Sequence, residues 1–488
     1  MKNPKYRLIA EHIKQKITNG EWAVGTKIPS QRQLSEEFRV NRSTVITALE
    51  ELTAEGLVEG KTGVGTIVTN SSWTLLGQGS LKNWNENLQL GPLKSSLQTV
   101  QTINDEESNP DLIQLSKGEL SPSFFPKREM QTVMTKMATD FKTFGYEEPK
   151  GNERLREEIS LHLSKNGLNV SPSSILIVSG ALQGLHLIAL GLLRRHSTLY
   201  LELPSYLYSL TLFQSLGIEL KGFNMDQYGV TTKGFADFHK KKALYTIPNF
   251  HNPTGAVTPL HKRKELIRFC EENQLPIIED DIYQELWIDA PPPPSLKSMD
   301  QHGSVLYLGS LSKSLSPGLR IGWVVGPEPV INRLADLKMQ SDYGSSSLSQ
   351  YVAAEWLGSG YHESHVANVR AALKTRRDAV LTYLDEHLSD YADWTVPTGG
   401  FFIWLTIKKP FISKNLFRRA LKRGVLINPG SIYSENEAGQ HIRISFAYED
   451  LDRIKKGITQ LEKIFINEGV DERSVPRAAK RRPKEIWG

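Results

Sequence analysis

The stretch from Gly309 to Arg320 combines residues that can do chemistry together. One lysine, Lys313, stands among the hydroxyls of Ser310, Ser312, Ser314 and Ser316, with Gly309, Gly318 and Arg320 around it. A lysine amine forms an imine with an aldehyde when its pKa is low enough to leave free amine. Hydroxyls and a guanidinium suit a phosphate, because each donates hydrogen bonds to its oxygens. Pyridoxal 5′-phosphate (PLP) is an aldehyde that carries a phosphate. Read alone, the same residues also describe a solvated loop with a surface lysine.

The elements around this stretch must hold it in place. Ser304–Leu308 before it and Ile321–Val325 after it read as buried strands. Further apolar runs at Ile175–Val178, Thr198–Glu202, Ala243–Ile247 and Pro276–Asp280 alternate with helical patterns such as Leu182–Leu193 and His261–Glu272. Uniformly apolar strands separated by crossovers predict an α/β domain, a mostly parallel sheet with helices on both faces. Ligands in such sheets sit at the carboxyl ends of the strands.

Those ends carry a consistent set. Ile175–Val178 runs into Ser179-Gly180-Ala181-Leu182, where small residues open a helix and leave backbone N–H groups for an anion. Thr198–Glu202 leads to Tyr206, an aromatic that can lie against a flat ring. Ala243–Ile247 leads to Asn252, held by Pro253, and Pro276–Asp280 ends in Asp280 with Tyr283 close behind. A carboxylate at the end of an apolar strand is costly unless paired. A protonated pyridine nitrogen is a suitable partner, and the pair keeps that ring an electron sink. Singly, each residue also reads as a helix cap, a core tyrosine or a polar turn.

The pattern S-x-S-K-x-x-x-P-G-x-R-x-G-W, with these strand ends in this order, resembles fold-type-I aminotransferases from about Asp111 to Phe465. That family has a large α/β domain and a small C-terminal α+β subdomain. The resemblance implies that Lys313 binds PLP covalently and is the catalytic lysine. It implies Asp280 on the pyridine nitrogen, Asn252 and Tyr283 on the phenolic oxygen, and Tyr206 stacked on the ring. Ser310, Ser312, Arg320 and the amides of Gly180, Ala181 and Leu182 would hold the phosphate. Tyr146 resembles the tyrosine that reaches the phosphate from the partner subunit, which implies a homodimer. Arg443, in the strand His441–Phe446, resembles the arginine that grips a substrate or effector carboxylate. No metal is implied.

The first seventy residues form a different unit. Lys5–Asn19 carries Ile9, Ile13 and Ile17 at helical spacing, and Gly20 follows. Ser30 caps a short second helix. Asn41 or Ser43 caps a third, whose apolar face is Val45, Ala48, Leu49 and Leu52, with Gly56 at its end. Leu57–Glu59 and Thr66–Thr69 then flank a glycine-rich turn. A helix entered through Asn41-Arg42-Ser43-Thr44 suits the major groove. The motif P-S-x-R-x-L-S, V-x-R-S-T-V, A-L-x-x-L-x-x-x-G-L-V resembles the winged helix-turn-helix of GntR-type regulators. It implies Arg32, Arg42, Ser43 and Thr44 as contacts to double-stranded operator DNA, with Lys61 and Gly63 in the wing. The unit holds ten Lys and Arg against eight Asp and Glu, a balance that also suits a small docking module.

The two resemblances together are those of the MocR/GabR-type regulators. The expected domains are 1–70 (winged helix-turn-helix), 71–110 (linker), 111–468 (aminotransferase-like, PLP-binding) and 469–488 (basic tail). The linker is rich in Ser, Asn, Gln and Gly with scattered Leu and Trp, and Pro291–Pro294 reads as a stiff loop.

At 488 residues, 39% hydrophobic and 23% charged, the chain is an ordinary globular one of more than one domain. A net charge of +5 permits nucleic-acid binding without arguing for it. Cys270 is the single cysteine, so no internal disulfide forms and no CxxC metal pattern exists. Neither a signal peptide nor an apolar run of about 18 residues is visible, so no membrane span and a cytoplasmic location are expected.

Three functions compete. The first is a PLP-dependent transcriptional regulator that senses PLP or an amine or amino acid effector. The second is a working aminotransferase with an accessory DNA-binding module. The third is a regulator whose aminotransferase fold only dimerises the chain. A complete DNA-reading motif favours the first, and the intact cofactor set argues against the third. The loop His251-Asn252-Pro253-Thr254-Gly255 has the form of true aminotransferases, where fused regulators often carry a tyrosine before the proline, and so leaves turnover open.

Overall fold

The computed structural model describes residues 5–18, 21–22, 25–54, 57–61, 65–69, 97–140, 145–226, 228–231, 242–408, 415–434 and 440–471. The chain divides into two compact units at Pro92 and Leu93.

The N-terminal unit is α1 (Lys5–Thr18), α2 (Gln31–Glu37), α3 (Arg42–Ala54), β1 (Val58–Lys61) and β2 (Gly65–Val68). Its core is the predicted stripe: Ile9, Ile13 and Ile17 of α1 meet Val45, Ala48, Leu49 and Leu52 of α3. Ser30 starts α2 with a complete capping box, its hydroxyl accepting from the Gln33 amide while the Gln33 side chain accepts from the Ser30 amide. β1 and β2 pair antiparallel, Val58 opposite Val68. Gly20, Gly56 and Gly63 lie outside the described residues.

The larger unit begins with α4 (Gln98–Glu106), inside the segment expected to be linker. Among the described residues its main sheet has eight strands. They are β3 (Ile175–Val178), β4 (Thr198–Leu203), β5 (Glu219–Asp226), β6 (Gly229–Val230), β7 (Lys242–Thr246), β8 (Ile277–Asp280), β9 (Val305–Ser310) and β10 (Gly322–Val325). Their order is β3-β10-β9-β8-β7-β4-β5-β6. The run β9-β8-β7-β4-β5 is parallel, with Leu308 beside Asp280 and Tyr245 beside Ile278. β10 runs against both its neighbours, because only the short Lys313 turn separates it from β9 and leaves no room for a crossover. Helices α5 (Ala181–Gly191), α6 (Leu260–Glu272), α7 (Glu328–Ser341) and α8 (Ser347–Gly358) supply the flanking layers. β3, β4, β8, β9 and β10 are buried along nearly their whole length, as their unbroken apolar runs require.

The long helix α9 (Tyr361–Leu388) leads to a smaller antiparallel sheet of β11 (Ala392–Trp394), β12 (Phe402–Ile407), β13 (Asn428–Pro429) and β14 (His441–Ser445). Helix α10 (Leu451–Asp471) packs on α9 through Ile454, Ile458, Leu461 and Phe465. Among the described residues no helix is long and apolar enough to cross a membrane. The expected basic tail falls mostly on residues 472–488, outside the described ones.

Candidate functional site: a cavity at the strand ends

The carboxyl ends of the parallel strands open into one cavity of about 390 Å³. Its walls bring together Gly180, Ala181, Leu182, Tyr206, Asn252, Asp280, Tyr283, Ser310, Ser312, Lys313, Arg320 and Arg443, residues spread over more than 260 positions of sequence. One expected residue is elsewhere. Tyr146 is 82% exposed, does not line the cavity, and meets Tyr343 edge to face at 4.9 Å.

Lys313 sits in the turn after β9, and its Nζ donates to the carbonyl of Gly118 at 2.6 Å. Burial pushes its ammonium down to about 8, against the pull of the Glu119 and Asp280 carboxylates. Free amine is therefore present near neutral pH, as a nucleophilic lysine requires.

Asp280 ends β8 and is buried. Its Oδ2 accepts from the Tyr245 hydroxyl at 2.6 Å, while its Oδ1 has no partner. Burial raises its pKa, since a charge in a poorly solvated site is disfavoured. An unpaired carboxylate oxygen in such a place fits a missing cationic N–H.

The corner of the cavity at Gly180 and Arg320 is built from backbone geometry. Gly180 has φ +84° just before α5, and Arg320 lies in the left-handed region at φ 54°. Arg320 Nη2 donates to the Ser179 carbonyl at 2.7 Å. A Cβ on Gly180 would lie 2.5 Å from that guanidinium nitrogen. Ser310 Oγ donates to the carbonyl of Ile321 at 2.8 Å, accepts from the Ser312 amide at 3.1 Å and lies 2.9 Å from Ser312 Oγ, so both hydroxyls are held at the cavity wall.

Arg443, on β14, is 6% exposed. Nη1 donates to Asn252 Oδ1 at 2.9 Å and Nη2 to the Ser116 carbonyl at 2.5 Å, while Nε has no partner. The guanidinium carbon lies 3.9 Å over the Phe402 ring. This is a fixed cation with unused donor capacity.

Several residues of the site escape the sequence reading. Tyr245 and the Asn428–Tyr433 pair are polar groups inside apolar runs. Glu202, buried in β4, accepts from Thr246 Oγ1 and the Ile247 amide and lies 3.3 Å from His251 Nε2. A carboxylate inside an apolar strand is itself a signal, and for Glu202 it was there to read. Val100, Ile103, Asn104 and Glu107 come from α4 and its C-cap and close one side of the cavity.

A second cluster lies behind the Lys313 turn. His162 and His362 flank Glu285 at 3.3 and 2.9 Å, and His365 Nε2 is 3.0 Å from the Ser314 carbonyl. Two imidazoles and a carboxylate within reach of one point could bind a metal. However, Trp356 Nε1 donates to His362 Nδ1 at 3.0 Å, which leaves the proton on the Nε2 that faces Glu285. A liganding histidine does the reverse, donating its far N–H. The cluster is a hydrogen-bonded carboxylate.

Arg32, Arg42 and Ser43 are exposed on α2 and at the start of α3, with Thr44 half-buried beside them. Arg32 Nε pairs with Glu36 at 3.1 Å and Arg42 Nε donates to Gln31 at 3.1 Å. The backbone of Lys61 ends β1.

Known proteins share both halves. Residues 110–461 match aminotransferase class I and II, and residues 5–68 match the bacterial regulatory proteins of the gntR family. The HTH-type transcriptional regulator YdfD of Bacillus subtilis is 55% identical over 463 residues, covering 94% of this chain and 96% of that one. NorG, an HTH-type transcriptional regulator of Staphylococcus aureus, is 38% identical over 442 residues, 89% of this chain and 98% of its own. Among solved structures, the kynurenine aminotransferase of Pyrococcus horikoshii superposes with TM-score 0.73 at 30% identity, over 80% of this chain and 99% of its own. LysN, the α-aminoadipate aminotransferase of Thermus thermophilus, does so with TM-score 0.72 at 28% identity, over 79% and 99%. The chain therefore belongs to the GntR-type transcriptional regulators whose DNA-binding domain is fused to an aminotransferase class I and II domain.

Proposed function

We propose that this chain is a PLP-dependent DNA-binding transcriptional regulator whose aminotransferase-like domain senses an amino compound. The observation that carries the reading is the buried, half-partnered Asp280 in one cavity with Lys313 and Arg443. A domain used only to dimerise has no use for a carboxylate buried at that cost.

PLP supplies an aldehyde and an electron-withdrawing ring when bound. Lys313 would hold the aldehyde carbon, Asp280 the ring nitrogen, and Asn252 and Tyr283 the phenolic oxygen. Tyr206 would lie against the ring. Ser310, Ser312, Arg320 and the amides of Gly180, Ala181 and Leu182 would take the phosphate. Tyr146, exposed and outside the cavity, suits a role in the site of a second copy, so a homodimer is part of the proposal. Arg443 would take the carboxylate of the sensed compound by its fork of N–H donors. Binding that favours one arrangement of the dimer would shift how its winged helices meet their half-sites.

A second reading, transamination, draws on the lowered Lys313 ammonium, since free amine near pH 8 can also accept and return a proton. One visible absorbance titration separates the two. The regulator gives a Lys313-dependent band with PLP that shifts with one compound and then stays. An enzyme gives a band that decays to the pyridoxamine form and recovers with a keto acid. Absence of any band, or equal affinity for its own promoter and random DNA at physiological salt, overturns the proposal.

A further inference from the structure

We infer that the sensed compound is an amino acid with a second, cationic group, which Glu107 and Glu119 recognise. This rests on the PLP reading above and names the ligand class of the same cavity. Both carboxylates line it, Glu107 at the C-cap of α4 and Glu119 beside the Gly118 carbonyl that holds Lys313.

The charges of the cavity lead to this class. PLP answers three of them: its phosphate Arg320, its ring nitrogen Asp280, its aldehyde Lys313. Arg443 remains, with an unused buried Nε, and needs a carboxylate. Glu107 and Glu119 also remain, and neither has a hydrogen-bond or ion-pair partner among the described residues. Lys117 acts on Glu107 through space, but its Nζ lies 4.2 Å over the Tyr448 ring and it does not line the cavity. Burial pushes the Glu107 carboxyl up, Arg443 pulls against it through space without forming an ion pair, and Glu119 adds to the push. Two carboxylates on the wall of one cavity, with no hydrogen bond or ion pair of their own among the described residues, are left for a cationic group of the ligand to meet. A neutral side chain would leave both uncompensated. A second carboxylate would meet like charge.

The test uses the full-length protein loaded with PLP, titrated with L-lysine, L-ornithine, L-norleucine and L-glutamate while the visible band is followed. Norleucine is lysine without its ammonium. Half-saturation is expected at a concentration about tenfold or more lower for lysine or ornithine than for norleucine, the order of one partly desolvated charge pair. In E107Q/E119Q the PLP band is expected to remain while that preference falls below about threefold. A band that responds to norleucine as readily as to lysine overturns this inference and leaves the PLP reading standing. So does a preference that survives in E107Q/E119Q. Absence of the PLP band overturns both.

Discussion

Tyr245 donates its hydroxyl hydrogen to Oδ2 of Asp280 at 2.6 Å, and the other oxygen of that carboxylate has no partner. The tyrosine occupies one oxygen of a carboxylate whose residue lines the cavity. Asp280→Asn keeps the shape and removes the charge. PLP affinity is expected to fall by about 2–5 kcal/mol, the usual cost of removing one member of a buried charged pair. Equilibrium dialysis of PLP against wild type and variant measures it. Unchanged affinity would mean that no cation sits against Oδ1.

Gly180→Val tests the proposed phosphate-binding corner. Its φ of +84° with ψ 156° is a conformation open essentially to glycine alone and costs a branched residue about 1–3 kcal/mol, and its new Cβ would lie 2.5 Å from the Arg320 guanidinium. Arg320 must then move. PLP retention is expected to fall at least about tenfold, with only a modest loss in Tm. Full retention on a desalting column would show that Arg320 and the Gly180 turn do not serve the phosphate.

Glu202 carries a pH dependence. Burial pushes its carboxyl up, but the nearby His251 ring and the bonds from Thr246 and Ile247 outweigh that and hold it below the ordinary glutamate range. A depressed folded-state pKa gives stability that is complete above the unfolded value and lost as pH falls through the folded one. Wild-type stability is therefore expected to decline below about pH 4.5, and Glu202→Ala to cost about 3–5 kcal/mol at neutral pH and to flatten that acid limb. Urea unfolding at several pH values measures both. An acid limb of equal slope in the variant would remove Glu202 as its source.

In the N-terminal unit, Arg42 is exposed at the first turn of α3, its Nε 3.1 Å from Gln31. Arg42→Ala is expected to weaken operator binding by about 1–3 kcal/mol and to lower its salt dependence. Fluorescence anisotropy on promoter DNA at two salt concentrations reports both changes. Unaltered binding would take Arg42 out of the interface.

What could be read from the chain follows from where polarity stands against apolar background. Asp280, Asn252 and Lys313 stand out because each follows a run buried on both sides, and the fold carries those ends to one place. Tyr245 did not stand out, because a tyrosine in an apolar strand passes for core. Helix α4 was hidden for a different reason. Only Val100 and Ile103 give its nine residues a helical spacing, and its burial comes from packing against residues far along the chain, Leu426 and Tyr433 among them. The reversal of β10 was likewise invisible in composition, and becomes clear only from the length of the turn before it.

The four prolines Pro291–Pro294 read from sequence as a stiff loop and no more. The carbonyls of Pro293 and Pro294 accept from Arg263 Nη1, and Nη2 of the same guanidinium binds Asn249, whose amide in turn donates to Asp281, next in the chain to Asp280. A spacer tolerates insertions; this loop is a gauge block. A residue gained or lost here would be felt three hydrogen bonds away, at Asp281 beside Asp280.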